Sequence, residues 1–275
     1  ESFNMRILFL GDLMGRSGRD AAINALPDLR EKLKLDFIIV NAENAASGFG
    51  TTSKIAGQVI QAGADVISGG NHTFDQKEIL TVIGNDGRIL RPVNYPEGTP
   101  GRGFNVYDAP RGKKVLVINA MGRVFMNAMD CPFKAVDHVL KKYRLGATVN
   151  AVIVDFHAEA TSEKMAMGHY LDGRASLVVG THSHIPTADC QILDGGTGYQ
   201  TDAGMCGDYN SVIGMTKEEP ISRFLTKMNK ERYSPAGGPA TVCGTFLETD
   251  DRTGLATRIE PLRMGPRLME HIPTV

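Results

Sequence analysis

The chain lacks several features that would assign it at once to a class of protein. Tryptophan is absent, and the four cysteines, Cys131, Cys190, Cys206 and Cys243, are scattered without a C-x-x-C pair. With no secretory leader recognisable either, this pattern predicts reduced thiols in a cytoplasmic protein. No apolar run approaches the roughly 20 residues that a membrane-spanning helix requires.

An excess of charge of one sign is also missing. The chain has 30 lysines and arginines against 31 aspartates and glutamates, which gives a formal net charge of -1 at pH 7. No basic block occurs, so the sequence does not indicate a protein that grips long DNA, long RNA or a membrane surface. Binding of a single nucleotide stays open.

Three common catalytic or nucleotide-binding motifs are absent. The chain has no G-x-x-x-x-G-K-[ST], no G-x-G-x-x-G after a strand and no G-x-S-x-G. These absences argue against a P-loop, a dinucleotide-binding fold and a nucleophile elbow. The glycine-rich run at 48–52 is better interpreted as a loop that caps the following helix than as a phosphate loop.

The composition is that of an ordinary globular protein, with 275 residues, 42% hydrophobic and 22% charged. We expect a single domain over residues 5–275, because α/β folds of this length often keep one core. Residues 1–4 precede a natural-looking start at Met5, and we expect them to be an addition to the natural chain.

The first third of the chain alternates between strand and helix signals. Apolar runs at Met5–Leu10, 36–41 and 65–68 predict buried strands, and helical periodicity follows each of them at about 19–34, 53–62 and 76–83. Pro27 predicts a kink in the first helix or a later start for it. Three successive strand–helix units are typical of parallel βαβ structure.

The remainder of the chain predicts a mixed fold. Residues 104–108 and 114–119 read as a hairpin, 134–145 as a helix, and 151–156 and 176–180 as buried strands. Short strands at 191–193, 198–201, 241–249 and 257–262 follow, with a helix at 221–228 between them. We therefore predict an α/β fold of two mixed sheets with helices outside.

Residues of the types that bind metals recur where the predicted strands end. In an open α/β sheet the carboxyl ends of the strands face one crevice, so residues distant in sequence meet there. Carboxylate, amide oxygen and imidazole together suit a pair of divalent ions. The residues concerned are Asp12, Glu43, Asn44, Asn71, His72, His157, His182 and His184.

Each of these residues also has a plainer interpretation. Asp12 is typical of a helix cap, Asn71 of a turn, and His72 of a loop. Glu43 is harder to dismiss, because an acid directly after a buried strand must be paired or coordinated. Taken together at successive strand ends, these residues favour a metal site, whereas His138, His169 and His271 lack such placement and are expected to be structural or exposed.

The H-x-H pair at His182 and His184 is the strongest local signal. If the segment is extended, alternation sends both imidazoles to the same side and makes a convenient chelate.

The ordered motifs GDLMG, NAEN, GGNHTFD, DFHAEATSEK and GTHSHIPTAD resemble those of the calcineurin-like metallophosphoesterases, and most closely the YmdB-like subgroup. The resemblance extends from Met5 to about Leu262. Two positions depart from the wider superfamily, since Met14 stands where a histidine is usual and Glu43 where an aspartate is usual. Both departures are normal for the subgroup, and the resemblance implies a four-layer αββα sandwich.

The resemblance also implies a ligand set for two divalent metal ions, with Glu43 bridging them. Iron or manganese is the implied metal, and the chemistry does not exclude zinc. One ion would be held by Asp12, Glu43, Asn44 and His184, and the other by Glu43, Asn71, His157 and His182.

The function implied is a metal-dependent phosphodiesterase acting on small nucleotides, with 2',3'-cyclic nucleotides such as 2',3'-cyclic AMP as the leading class. We expect a metal-bridging hydroxide to attack phosphorus and His72 to protonate the leaving group as general acid. Asp75 is expected either to orient His72 or to cap a helix. Phe49, Phe74 and Phe125 are candidates to stack on a base, against the commoner role of capping a core.

Two rival functions stay open. The same metals would serve a phosphomonoesterase or protein phosphatase, and a regulatory metal-binding protein with little turnover is the other alternative. The sequence does not fix the oligomeric state, and a homo-oligomer is compatible with it.

Overall fold

The structure is a computed structural model that describes residues 4–275. Residues 1–3, which are most of the segment expected to be an addition, lie outside the described residues. Buried apolar strands build the framework of the protein. The strands in chain order are β1 (Met5–Leu10), β2 (Phe37–Asn41), β3 (Val66–Ser68), β4 (Phe104–Ala109), β5 (Lys113–Met121), β6 (Ala151–His157), β7 (Leu177–Thr181), β8 (Gln191–Ile192), β9 (Gly198–Gln200), β10 (Val242–Thr249) and β11 (Ala256–Met264). The α-helices are α1 (Gly15–Lys32), α2 (Ser53–Gln61), α3 (Pro132–Leu140), α4 (Thr161–Tyr170) and α5 (Glu218–Thr226), and two 3₁₀ helices span Lys77–Thr81 and Pro110–Gly112.

The first sheet has the strand order β11-β10-β1-β2-β3. β1, β2 and β3 run parallel, with α1 and α2 as the crossover helices, and β10 lies antiparallel to β1. α2 begins where the sequence predicts it, because the Thr52 side chain accepts a hydrogen bond from the backbone N–H of Ile55 at 3.2 Å and so caps the helix.

The second sheet has the order β4-β5-β6-β7-β9-β8. β4 and β5 form the predicted antiparallel hairpin, and β5, β6, β7 and β9 run parallel. The carboxyl ends of β6 and β7 therefore lie at the same edge of the molecule. The histidines at these strand ends are positioned there together.

The two sheets pack face to face, and strand alternation explains why. Ile7 and Phe9 of β1 lie in the same buried cluster as Val117 of β5 and Ile153 of β6, between the sheets. The alternate residues face the helices instead, Leu8 toward α1 and α2 in a second cluster and Val154 toward α3 and α4 in a third. The result is the predicted four-layer sandwich of helices, two mixed sheets and helices.

Several predicted elements differ from the structure. Only two βαβ units lie in the first sheet, because the segment after β3 forms the short 3₁₀ helix Lys77–Thr81 and then crosses to β4 in the other sheet. α1 begins earlier than predicted, at Gly15, and continues through Pro27. The helix predicted at 134–145 is shorter and starts at Pro132, a favourable first residue for a helix.

α4 was not predicted at all. Its buried face carries Glu163 and Lys164 beside Met167 and Gly168, so the apolar periodicity of an amphipathic helix is missing from the sequence. Both charged side chains find partners on neighbouring segments. Glu163 accepts hydrogen bonds from the backbone N–H groups of Arg123 and Val124, and Lys164 pairs with Asp202.

None of the helices formed by residues 4–275 combines the length and hydropathy needed to cross a membrane.

Candidate metal centre

The predicted ligands meet at one edge of the sandwich, where strands of both sheets end. Asp12 follows β1, Glu43 and Asn44 follow β2, and Asn71 follows β3. From the second sheet, His157 is the last residue of β6, and His182 and His184 follow β7. Asp12, Glu43, Asn44, His157 and His184 are all buried.

One group of potential ligands surrounds the Nε2 atom of His157. Glu43 Oε1 lies 3.0 Å from this nitrogen, Asn71 Oδ1 lies 2.9 Å from it, and Nδ1 of His182 lies 3.1 Å from it. A single ring N–H serves one acceptor at a time, so three acceptors around one nitrogen are better satisfied by a shared cation. Glu43, His157 and His182 offer ligand atoms within 4.8 Å of one another.

A second group shares Glu43 with the first. Asp12, Glu43 and His184 also offer ligand atoms within 4.8 Å of one another. Asn44 lies beside them in sequence, and its side-chain amide donates to the carbonyl of Gly48 at 3.0 Å, which leaves its Oδ1 free for another contact. Two ligand groups joined by one carboxylate are the arrangement that a bridged pair of ions requires.

Three buried oxygens in these groups have no hydrogen-bond partner. They are Asp12 Oδ1, Glu43 Oε1 and Asn44 Oδ1. Glu43 Oε1 has His157 Nε2 as a neighbour at 3.0 Å, without the geometry of a hydrogen bond. Buried polar atoms are nearly always paired, and an unpaired one costs about 1–3 kcal/mol or more when it is charged. Divalent cations at these positions would satisfy all three, so the residues fit a dinuclear metal centre.

The outer nitrogens of the histidines are tied to acceptors, which frees the inner ones to bind metal. His184 Nδ1 donates to the carbonyl oxygen of Ile213 at 2.7 Å, and His182 Nε2 lies 3.1 Å from Glu159 Oε2. Each of these contacts places the ring proton on the outer nitrogen. The lone pair is left on the nitrogen that faces the carboxylates.

His157 is oriented by a two-step relay. Its Nδ1 lies 2.9 Å from the hydroxyl of Thr181, and that hydroxyl donates its own proton to Asp155 Oδ1 at 2.6 Å. The Thr181 oxygen must therefore accept from Nδ1–H, which leaves Nε2 as the ligand atom. Asp155 also accepts from Asn41 and Ser68 of the first sheet, so the relay joins both sheets.

The electrostatics of the site act differently on each ligand. Burial opposes ionisation of Glu43, but the adjacent His157 and His72 outweigh it and lower the pKa of Glu43 to about 2. Burial and the neighbouring His157 lower the pKa of His182 to about 3, so this imidazole is neutral at physiological pH. Burial disfavours charge on His157 as well, yet the surrounding carboxylates, Glu43 foremost, raise its pKa to about 9, so its Nε2 carries a proton that a bound metal ion would displace.

His72 lies at the margin of this cluster. Its backbone N–H donates to Glu43 Oε2 at 3.0 Å, and its Nδ1 lies 2.7 Å from Asp75 Oδ2. Asp75 does not cap the following 3₁₀ helix, whose N-cap residue is Gln76. The contact favours the tautomer of His72 with its proton on Nδ1 and leaves Nε2 unengaged by Asp75.

The reasoning from an extended H-x-H segment was wrong. His182 and His184 both have left-handed backbone conformations, with φ of 96° and 68°, so they lie in a turn and not in an extended segment. Their imidazoles consequently join different ligand groups. Such conformations are uncommon for residues other than glycine and cluster at functional sites.

The sequence missed the residues that support the ligands. Thr181 and Asp155 orient His157, Glu159 contacts His182, and Asp202 accepts from the backbone N–H and hydroxyl of Ser183 at 3.1 and 2.7 Å. Asp155 carried a usable signal, because an acid inside a strand buried on both sides needs partners. Thr181 ends β7, where a threonine is ordinary, and Glu159 and Asp202 lie in loops, where polar residues are too common to stand out.

Met14 occupies the position where the wider superfamily has a histidine. It is buried, and its side chain packs beside Gly48 and Gly214, where an added Cβ would lie within 3.1 Å of it. This position thus contributes packing, and the second ligand group has Asn44 and His184 beside its two carboxylates.

A cavity of about 440 Å³ lies beside the candidate ligands. Its lining includes Glu43, Asn44, His72, His182 and His184. Of the three phenylalanines considered for base stacking, only Phe49 lines this cavity. Phe74 packs edge-on against Tyr95, and Phe125 is 89% exposed.

A family model described as YmdB-like protein matches residues 8–262. The chain belongs to the YmdB-like family. This confirms the resemblance to the YmdB-like subgroup that the ordered motifs carry.

Relatives in this family carry phosphoesterase names. A 2',3'-cyclic-nucleotide 2'-phosphodiesterase of Bacillus subtilis is 47% identical over 256 residues, which cover 93% of this chain and 96% of that protein. A putative phosphatase/phosphodiesterase of Mycoplasma genitalium is 34% identical and covers 95% of this chain and 93% of its own length.

Solved structures agree with the YmdB-like assignment. A novel phosphatase of Mycoplasma pneumoniae superposes with a TM-score of 0.90 at 34% identity, covering 96% of this chain and 95% of that one. A hypothetical protein of Thermus thermophilus gives a TM-score of 0.89 at 42% identity, covering 96% of this chain and 100% of that one. The two-sheet fold is therefore that of crystallised relatives.

Proposed function

We propose that this chain is a dinuclear metal-dependent phosphodiesterase that hydrolyses small nucleotide diesters, with 2',3'-cyclic nucleotides such as 2',3'-cyclic AMP as the substrate class. One observation carries the proposal: two ligand groups share the buried carboxylate of Glu43, and three of their oxygens lack a hydrogen-bond partner. The Bacillus subtilis relative named for 2',3'-cyclic nucleotides, at 47% identity, supports the substrate class.

In this proposal Asp12, Glu43, Asn44 and His184 hold one ion, and Glu43, Asn71, His157 and His182 hold the other. Bound divalent ions supply a hydroxide nucleophile at neutral pH and offset the charge on the phosphoryl oxygens. The mixed oxygen and nitrogen donors suit iron or manganese, and zinc is an alternative.

His72 serves as the general acid in this proposal. It lines the cavity beside the ligands but belongs to neither ligand group. Asp75 holds its Nδ1 at 2.7 Å, which directs Nε2 to carry the proton that the leaving alkoxide takes up. Phe49 packs edge-on against the ring, with 5.2 Å between the ring centres, and restrains its orientation further.

A phosphomonoesterase is the second candidate, because one relative at 34% identity is named a novel phosphatase and another a putative phosphatase/phosphodiesterase. The test is to measure turnover of bis(p-nitrophenyl) phosphate, p-nitrophenyl phosphate and 2',3'-cyclic AMP by protein loaded with manganese or iron. Parallel samples contain a chelator, and bound metal is quantified.

The outcomes separate the candidates. Chelator-sensitive turnover of the diesters that exceeds monoester turnover supports the phosphodiesterase. Preference for the monoester supports the phosphatase. Two bound metals with no turnover of either kind favour the regulatory metal-binding alternative, and absence of bound metal overturns the proposal. A single domain over residues 5–275, a cytoplasmic location and a homo-oligomer remain proposals beside it.

A further inference from the structure

The cavity beside the candidate ligands is lined by residues of two chemical kinds. The polar ones are the ligands with His72, Ser183 and Glu159, and Gly48 and Phe49 lie in the lining with them. The rest of the lining, which we call the apolar wall, consists of Val212, Ile213, Met215, Pro220, Phe224 and Tyr233. A phosphodiester group and two cations need polar contacts only. An apolar surface in the same cavity therefore indicates a substrate with a second, apolar part.

The apolar wall is attached directly to the metal centre. The carbonyl oxygen of Ile213 accepts the hydrogen bond from Nδ1 of His184, at 2.7 Å. Ile213 has a left-handed backbone with φ of 44°, a strained conformation for a β-branched residue. Strain of this kind persists where the surrounding structure enforces it, frequently at ligand sites. The wall thus keeps a fixed position relative to a proposed metal ligand.

The outer part of the apolar wall is formed by α5 and the chain that folds back over it. Pro220 and Phe224 are four residues apart on α5 and share a face of the helix. Tyr233 is held by Arg223, whose guanidinium carbon lies 3.8 Å from the ring centre, and Arg223 in turn pairs with Glu219 at 2.6 Å. These contacts order the wall without any ligand.

Phe224 is the residue of the apolar wall best placed to take a flat partner. Its side chain is 74% exposed although it lines the cavity, and Lys227 Nζ lies 5.9 Å from its ring centre. A phenylalanine side chain this exposed leaves apolar surface in water, which is unfavourable. A base stacked on this ring would remove part of that surface from water.

We propose that the apolar wall is the subsite for the nucleobase, which stacks on Phe224 while the phosphodiester lies at the metal centre. This inference rests on the proposed function and adds a recognition element to it. A volume of about 440 Å³ lies in the range of sites that enclose small ligands. The wall side chains offer only the Tyr233 hydroxyl for hydrogen bonding. Recognition is therefore by stacking, which tolerates different bases and favours the larger purines.

The experiment compares Phe224→Ala with Leu225→Ala in metal-loaded protein. Leu225 is the matched control, because it is 79% exposed on the same helix but does not line the cavity. Specificity constants are measured for 2',3'-cyclic AMP and for 1-O-methylribose 2,3-cyclic phosphate, which has the same reacting ring without a base.

We expect Phe224→Ala to lower the ratio of the two specificity constants about 5–150-fold, the equivalent of about 1–3 kcal/mol for one stacked base. Leu225→Ala leaves the ratio unchanged, and Phe224→Trp restores it. An unchanged ratio in Phe224→Ala, or an equal ratio change in both alanine variants, overturns the base subsite while the phosphodiesterase proposal stands.

A binding measurement separates failure of the subsite from failure of the proposed function. The dissociation constant of adenosine 3'-monophosphate is measured by calorimetry on the same proteins, with methylriboside 3-phosphate as the base-free ligand. If neither cyclic diester is hydrolysed, the proposed function fails. A selective loss of adenosine nucleotide affinity in Phe224→Ala then still supports the base subsite, and equal affinities of the unaltered protein, Phe224→Ala and Leu225→Ala overturn it.

Discussion

At the scale of single residues, Glu43 has the most demanding position in the molecule. It is fully buried, contributes to both ligand groups and accepts the backbone N–H of His72. Its neighbours lower its pKa to about 2, so the carboxylate is ionised throughout the physiological range. Asp12 differs, because burial raises its pKa. Of the two carboxylates, Glu43 is therefore the one whose surroundings favour ionisation.

Glu43→Gln keeps the size of the side chain and removes this charge. We expect the variant to lose both ions together and to lose detectable turnover, because the amide supplies only one oxygen to share. Elemental analysis after gel filtration, with Glu97→Gln at an exposed site as control, measures the effect. Retention of two ions with normal activity would show that Glu43 does not bridge.

His72→Ala separates catalysis from metal binding. We expect turnover of 2',3'-cyclic AMP to fall about 10²–10⁴-fold, the usual contribution of a general acid, while the metal content stays at the level of the unaltered protein. Asp75→Asn, which weakens the hold on Nδ1, is expected to give a smaller loss. Loss of metal in His72→Ala would instead identify His72 as a ligand.

At the scale of secondary-structure elements, the turn that carries His182 and His184 depends on a buried ion pair. Lys164 of α4 lies 2.8 Å from Asp202, and both side chains are almost completely buried. Asp202 also binds the backbone N–H groups of Ser183 and Gly204. The carboxylate of Asp202 thus fixes the turn that contains the left-handed residues His182 and His184.

Asp202→Ala leaves Lys164 buried without its partner. Breaking a buried pair in this way costs about 3–5 kcal/mol, so we expect a loss of that order in the free energy of unfolding of metal-free protein. The exposed pair of Lys114 with Asp108 gives a control, since Asp108→Ala removes a contact worth about 1 kcal/mol or less. Urea denaturation of both variants measures the difference. Equal stability of the two would show that the buried pair contributes nothing to the turn.

The elements also show how far the sequence predicts the structure. The apolar strands and their ends could be predicted because continuous apolar runs, and the residues after them, are visible in the sequence. All seven predicted ligands stand at these strand ends and lie at one edge of the structure. α4 was not, because charged residues occupy its buried face. The apolar wall was missed for another reason. Its residues lie in turns and on an exposed helix, and only the tertiary structure brings them over the metal ligands.

At the scale of the whole molecule, the candidate metal centre lies where the two sheets meet. Its candidate ligands stand at strand ends of both sheets, and the contacts of Asp155 with Asn41 and Ser68 connect the sheets beside it. Asp12 and Glu43 are buried, and each has an oxygen without a hydrogen-bond partner. Bound ions should therefore stabilise the folded chain as well as enable hydrolysis.

Metal removal is expected to lower the thermal stability of the protein. An ion that binds only the folded state at a concentration about 100 times its dissociation constant contributes about 2.7 kcal/mol. We expect the midpoint of thermal unfolding to fall with chelator and to recover with added manganese. Glu43→Gln should show no such response. An equal shift in Glu43→Gln would place the stabilising ion elsewhere.

The division of the ligands between the sheets has a consequence for metal selection. The first sheet contributes only oxygen donors, from Asp12, Glu43, Asn44 and Asn71, whereas the second contributes only imidazole nitrogens, from His157, His182 and His184. Hard ions such as magnesium prefer the former set, and borderline transition metals accept the combination. In the proposed centre, discrimination between cellular metals would therefore depend on both sheets together. It would require their strand ends to be aligned, so we expect substitutions in the core between the sheets to alter which metal the protein binds.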